Sequence, residues 1–433
     1  MKQSVYNIMD YGIQEGGRQL ITAALQRAVD DCAGAGGGIV SLPAGDYVCG
    51  TVELKSNVTL LLEQGAVLRA SERMEDYRQI GFYHNEMGET VSFLYALGGR
   101  NIRITGDGEI QLSDHAFIDF NRLHPFQFEE SDLTEEQREE ATAMYLDRPN
   151  QPIFFHGCSH VTVDRLKISR APYWTLTFSC CEQVVVDQVC IVNHLRVPNS
   201  DGIHLCSSKD VRITNCQITS GDDCIAITGI TAWDGVSERI LIQGCILTSH
   251  SSAIRMGHLA SKVRDVMINT VMIRGTNRGL GLFAGDGGFV ERVSARHLTI
   301  DTQIKAGAWW GQGEPLIISA AGQGSYIRDI VVDGVQAAAE NSVIVHGTDG
   351  NISGIQLSDW SLSLSEGRNR PLYGQSLDLA PFAAQPVPEG LPWLYVNQAA
   401  DVLLRHVRYT GDDAVIDESA EVEQADVKRR PRG

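Results

Sequence analysis

Three aspartates fall within a span of 23 residues: Asp201, Asp222 and Asp223. They occupy two near-copies of one unit, SDGIHL from Ser200 and GDDCIAI from Gly221, each a carboxylate-bearing turn running into a short alternating strand. Between them lies another strand of period two, VRITNCQI from Val211. If the chain coils, the two units fall on neighbouring turns and the carboxylates crowd together, since parallel strands lie about 4.8 Å apart. Like charges at that range do not ionise alike, so their pKa values split. Carboxyl groups with split pKa values are what acid/base hydrolysis of a glycosidic bond needs. Aspartate ladders also arise simply to satisfy turn N–H groups. An adjacent pair flanked by glycine, with a third carboxylate one coil away, goes beyond that need.

The elements that must position these groups are short strands. An eight-residue pattern, apolar at alternate positions, starts at Val161, Val184, Val211, Ile240, Val266, Val293, Ile330 and Ile355, at intervals of 23, 27, 29, 26, 27, 37 and 25 residues. Earlier copies lie near Asn57 and Asn101 and a late one near Asp401. Strands this short and evenly spaced, without long helices between them, predict an all-β solenoid, a right-handed parallel β-helix. Propeller blades would repeat every 40 to 45 residues or so. The open end of such a coil must be covered, and RQLITAALQRAVDDC, Arg18 to Cys32, reads as an amphipathic capping helix that ends at a glycine run.

Each repeat is followed by a second strand: WTLTF from Trp174, DGIHL from Asp201, DCIAI from Asp223, SAIRM from Ser252, RGLGL from Arg278 and EPLII from Glu314. Their third and fifth residues are apolar in all six and should face the interior. First positions then stack as Trp174, Asp201, Asp223, Ser252, Arg278 and Glu314; fourth positions stack outward as Thr177, His204, Ala226, Arg255, Gly281 and Ile317. The expected result is a groove lined with an aromatic face, carboxylates and cations.

Bulk numbers narrow the partners. The net charge of −18 argues against nucleic acid or an anionic membrane surface. No apolar run is long enough for a transmembrane helix, and no signal peptide is evident at the N-terminus, so a cytoplasmic protein is expected. Ten cysteines without a CxxC pair read as reduced, small buried residues rather than a metal site. One catalytic domain is expected over residues 1–418, with an inserted excursion or lid at 114–150 whose charged part, Glu129 to Arg148, is helix-prone, and a polar, flexible tail at 419–433.

The motifs resemble glycoside hydrolase family 28, the polygalacturonase-like enzymes with a pectin-lyase-like β-helix, over most of residues 5–365. The family's N-T-D-G appears as Asn199, Ser200, Asp201, Gly202, and its G-D-D-C is intact from Gly221 to Cys224. Two motifs depart. Ser251 stands where the family's G-H-G has its histidine, with His250 one position away, and R-I-K is replaced by Gly281, Leu282, Phe283. The resemblance implies inverting hydrolysis with Asp222 as general acid and Asp201 and Asp223 activating water, without metal or cofactor. The lost cations, which in the family grip the substrate carboxylate, imply that galacturonate is not recognised in the family manner. Candidate substrate-binding residues are Asn199, His204, Arg255, His258, Arg278, Trp309, Trp310 and Glu314, with His204 and His258 candidates for the missing histidine's role and the tryptophans offering apolar faces to sugar rings. The expected substrate is an oligosaccharide from plant cell walls, attacked at its end because the excursion and the tryptophan loop could close the groove. Two rival classes stay open: a lyase performing β-elimination on a uronate, and a non-catalytic carbohydrate-binding β-helix.

Overall fold

Almost every repeat begins just after a residue forced into the left-handed region. Asn57, Asn101, His160, Gln183, Asp210, Arg239, Asp265, Arg292, Asp329 and Asp401 all have φ between 51° and 64°. Each immediately precedes the first apolar residue of its eight-residue repeat. The chain turns a corner there and enters the strand with its apolar side inward; short polar side chains tolerate this conformation best. The computed structural model describes residues 4–13, 19–84, 88–124, 133–229, 235–307, 310–348, 350–373, 376–377, 385–386 and 391–431. They form two compact units, one of Met1–Arg122 and Ala143–Gly221, the other of Leu123–Thr142 and Asp222–Gly433.

In the first unit, parallel pairing stacks Val40, Leu60, Ile104, Val163, Val186 and Ile213 in one fully buried column. A second ladder joins Ile153–His156, Leu176–Ser179 and Ile203–Cys206, with the Phe155 and Phe178 rings stacked 5.3 Å apart. The capping helix is Thr22–Gly34, burying Leu25, Ala28, Val29 and Cys32; Arg18, where the sequence reading began it, lies outside the described residues. Gln26 of this helix both donates to the Glu53 carbonyl (3.2 Å) and accepts from its N–H (2.8 Å), so the side chain satisfies backbone groups of the short strand Val52–Glu53.

In the second unit, Ile240, Val266, Val293, Ile330, Ile355 and Val402 stack likewise. The second ladder aligns Ile225, Ile254, Leu280 and Leu316. The 37-residue interval therefore lengthens a loop without shifting the register. Among the described residues of the helix-prone segment, only Glu135–Glu140 is helical, closed at its start by a capping box between Thr134 and Gln137; 125–132 lie outside the described residues. This helix is fastened by Glu140 to the Ala306 N–H and Asn369 and by Arg368 to Glu136 and Glu140.

The tail differs from the sequence reading. Val422–Ala425 and Lys428–Arg429 extend the parallel ladders on Ala399–Arg405 and Arg408–Tyr409. The side chains are polar and mostly exposed, as the composition implies, but backbone pairing to an open edge does not require apolar residues, and Asp426 adds ion pairs to Arg408 and Lys428. All ten cysteines remain thiols.

Candidate active site

In the first unit, Asp201 lies in the turn before the strand Ile203–Cys206. That turn is fixed by its neighbours. Asn199 takes the left-handed conformation (φ 56°), and the Ser200 hydroxyl donates to the Val197 carbonyl while accepting from the Gly221 N–H. Asn193 donates to the Ser200 carbonyl and to Thr175 Oγ1, and the Thr175 N–H donates to the Asp201 carbonyl. The Asp201 carboxylate meets His204 Nδ1 at 3.0 Å, both side chains almost fully buried. The imidazole stacks on Trp174, ring centres 3.6 Å apart. With Asp201 ionised, Nδ1 carries the hydrogen of this contact. His204 stands in register with Thr177, as the stacking pattern predicts.

In the second unit, Asp222 and Asp223 are adjacent but differently held. Asp222 Oδ1 accepts the Asp223 N–H at 2.9 Å, and its carbonyl accepts the Ser249 hydroxyl. Asp223 is fully buried. Its Oδ1 accepts from the Ser251 hydroxyl (3.2 Å) and the Ser252 N–H (3.1 Å), and its Oδ2 pairs with the Arg255 guanidinium. Burial pushes this carboxyl up, yet the Arg255 charge, its hydrogen bond and those of Ser252 outweigh burial and hold it below the usual carboxylate range. Arg255, aligned with Ala226 and Gly281 as expected, is thus occupied by Asp223. Ser251, at the position of the missing histidine, keeps a hydrogen bond to that same carboxylate.

The expected groove changes character beyond Arg255. Arg278 and Glu314, read as lining residues, are spent on each other: Nε to Oε1 is 2.7 Å, with both side chains sealed at 0% and 1% exposure. Glu314 Oε2 accepts the Gln312 N–H, and the guanidinium lies 5.0 Å over the Phe283 ring. The loop covers Arg278 closely; a Cβ at Gly311 (φ 117°) would stand 2.9 Å from Arg278 Cβ. The outward column continues through Ile317, Ile344 and Tyr395, and Phe283 packs with Ile317 and Ile344 against Tyr395. At the two positions where the family carries cations, Gly281 and Phe283 are buried, and Phe283 belongs to an apolar cluster. Trp310 is 36% exposed and meets the His258 ring edge-on at 6.4 Å, while its carbonyl accepts from Ser251. Trp309 lies outside the described residues.

Sequence reasoning missed Arg148, which it placed at the end of a charged excursion. Its guanidinium is buried between the Tyr145 and Tyr173 rings and donates to Asn199 Oδ1 at 3.0 Å. The available signal was spacing: Tyr173 follows Arg148 by one coil.

Comparison with known proteins identifies the family and the fold. The profile of glycosyl hydrolases family 28 matches residues 135–370, more than half of the chain. A probable polygalacturonase of Vitis vinifera is 24% identical over 77% of this chain and 70% of its own length. An exo-poly-alpha-D-galacturonosidase of Dickeya chrysanthemi is 25% identical over 67% of this chain, which spans only 55% of that protein. Among solved structures, a hyperthermoactive exopolygalacturonase from Thermotoga maritima superposes with a TM-score of 0.66 at 20% identity, covering 99% of this chain and 93% of the other. A polygalacturonase from Erwinia carotovora gives 0.54 at 16% identity, covering 100% and 98%. At such identities the structural likeness speaks for the fold, the right-handed parallel β-helix read from the repeats.

Proposed function

This chain belongs to glycosyl hydrolases family 28 and is a glycosidase, and from that premise we propose that it is an inverting, exo-acting hydrolase of pectin-derived oligosaccharides with a neutral or deoxy terminal sugar. Asp222 donates the proton to the departing glycosidic oxygen. Asp201 and Asp223 take the proton of the water that attacks the opposite face of the ring, so a single displacement inverts the anomeric carbon. His204, buttressed by Trp174, orients the Asp201 carboxylate through its Nδ1 hydrogen.

The observation that carries this reading is the way the buried Asp223 carboxylate is held. Arg255, Ser251 and Ser252 commit Asp223 to the anion, the state a water-activating group requires. The substrate assignment rests on Gly281, Phe283 and Ile317, which put a small residue and two apolar ones where a uronate carboxylate would need cations. Two lost charge-assisted contacts would each be worth about 1.5–3 kcal/mol. The exo mode is supported by the anchored helix Glu135–Glu140, which walls the root of the tryptophan loop at Ala306.

A panel of aryl glycosides and pectic oligosaccharides, followed by proton NMR of the first-formed anomer, tests the reading. A neutral or deoxy glycoside cleaved with inversion is the expected result. Digalacturonate as best substrate would contradict the sugar assignment, and retention the mechanism.

A further inference from the structure

In the first unit, the segment around Tyr145 and the ring of Tyr173 border a shallow, open recess of about 400 Å³, lined by Tyr145, Leu146, Asp147, Arg148, Asn150 and Tyr173. That volume lies within the range of small-molecule sites, which are concave, mainly apolar and equipped with a few polar groups. Tyr145 is 40% exposed and Leu146 51%, so an aromatic face and an aliphatic one are presented to solvent. Asp147 adds an exposed carboxylate.

The other polar groups are committed. Arg148 has its guanidinium 4.1 Å from the Tyr145 ring centre and 4.4 Å from that of Tyr173. Its Nη1 donates to the Pro172 carbonyl (2.6 Å) and the Pro198 carbonyl (2.7 Å), and its Nη2 to Asn199 Oδ1. Asn150 donates to the Glu89 carbonyl and accepts from the Val91 N–H. A planar cation with five donors is the side chain suited to holding two rings and three oxygens at once. The rings are thereby fixed before any ligand arrives, which lowers the ordering cost of binding. The same guanidinium reaches Asn199, two residues before Asp201, so the recess is tied to the catalytic turn.

We propose that this recess is a subsite for a neutral sugar ring of the substrate, with the apolar face of the ring against Tyr145 and its hydroxyls donating to Asp147. A uronate is disfavoured, because its carboxylate would meet Asp147 while Arg148 is occupied on both faces and at both terminal nitrogens. The inference rests on the glycosidase reading and deepens it by adding a second point at which charge on the substrate is refused.

The test uses Tyr145→Ala, Tyr145→Phe and Asp147→Asn, all at exposed positions, with galactan and arabinan oligomers beside oligogalacturonides of matched length. Tyr145→Ala should raise KM for long neutral oligomers about tenfold more than for aryl monoglycosides, and Tyr145→Phe should restore most of the loss. Asp147→Asn should weaken neutral oligomers and strengthen oligogalacturonides. A KM for Tyr145→Ala unchanged across every oligomer, or oligogalacturonides that bind more weakly in Asp147→Asn, would overturn the subsite. Calorimetric titration of the same oligomers into Asp222→Asn protein, with and without Tyr145→Ala, reads the recess without turnover. If the wild type cleaves no glycoside, the hydrolase reading fails, and this titration still decides the recess on its own.

Discussion

Two ion pairs in the second unit share their chemistry but not their surroundings. In Asp223–Arg255 the carboxylate is sealed while the arginine keeps 12% of its side chain exposed. In Arg278–Glu314 both ends are sealed. The two arginines come from strands paired in register, Ser252–Met256 and Arg278–Ala284. Arg255 stands in the outward column beside Gly281 and Arg278 in the column of Ser252, and the two differ in cover as well. Arg278 is roofed by the loop at Gly311 and flanked by Phe283, whereas Arg255 stays at the solvent edge and fixes the ionisation of an aspartate. Both pairs carry a desolvation penalty that only good geometry offsets, so each should be costly to break, and only one should matter to turnover.

Breaking the sealed pair should have the largest effect on stability. Arg278→Met leaves Glu314 buried beside a thioether and should cost about 3–5 kcal/mol, read by denaturant unfolding, with kcat per folded molecule little changed. Arg278→Met with Glu314→Gln should recover most of that loss. If turnover falls more than the folded fraction does, the sealed pair is not merely structural and the contrast collapses.

Arg255→Met should cost less, about 3 kcal/mol, since water reaches that edge, but should also alter the pH profile. Folding holds Asp223 below the usual range, so its ionised form contributes stability that is present above the unfolded carboxylate pKa near 4 and is lost as pH falls through the depressed folded value. Without Arg255, burial is opposed by the Ser251 and Ser252 hydrogen bonds alone, and that carboxyl rises. The acid limb of kcat/KM should move to higher pH, and an unmoved limb would separate Asp223 from the water-activating step.

Gly281→Ala probes the apolar cover. An added Cβ would stand 2.7 Å from Phe283 Cε2 and 3.0 Å from Arg278 Cδ, so the ring must shift, at about 1–3 kcal/mol. The smallest effect belongs to Ser251→Ala, which removes one hydrogen bond from Asp223 and should cost about 0.5–1.5 kcal/mol, seen as a small drop in thermal midpoint.

The register was legible in the sequence because alternating apolar residues admit only one stacking. Even across the longest interval, Arg278 falls opposite Glu314. What covers each position was not legible. Phe283 folding onto Gly281 and the loop lying on Arg278 are long-range events with no local signature. The Asp201–His204 contact was hidden for a different reason. Residues three apart on a strand face opposite sides, and this pair meets only because Asp201 still belongs to the turn before Ile203. Arg148 was misplaced because its partners, the carbonyls of Pro172 and Pro198, lie one and two coils further on.

The assignment of chemistry to the aspartates is tested most directly by turnover of Asp222→Asn. Asparagine keeps the shape of the side chain and an oxygen to accept the Asp223 N–H, so the fold should persist by circular dichroism and thermal midpoint. Loss of the general acid should lower kcat by about 10²–10⁴-fold on a substrate with a poor leaving group. A folded Asp222→Asn protein that hydrolyses such a substrate at near wild-type rate would contradict the assignment.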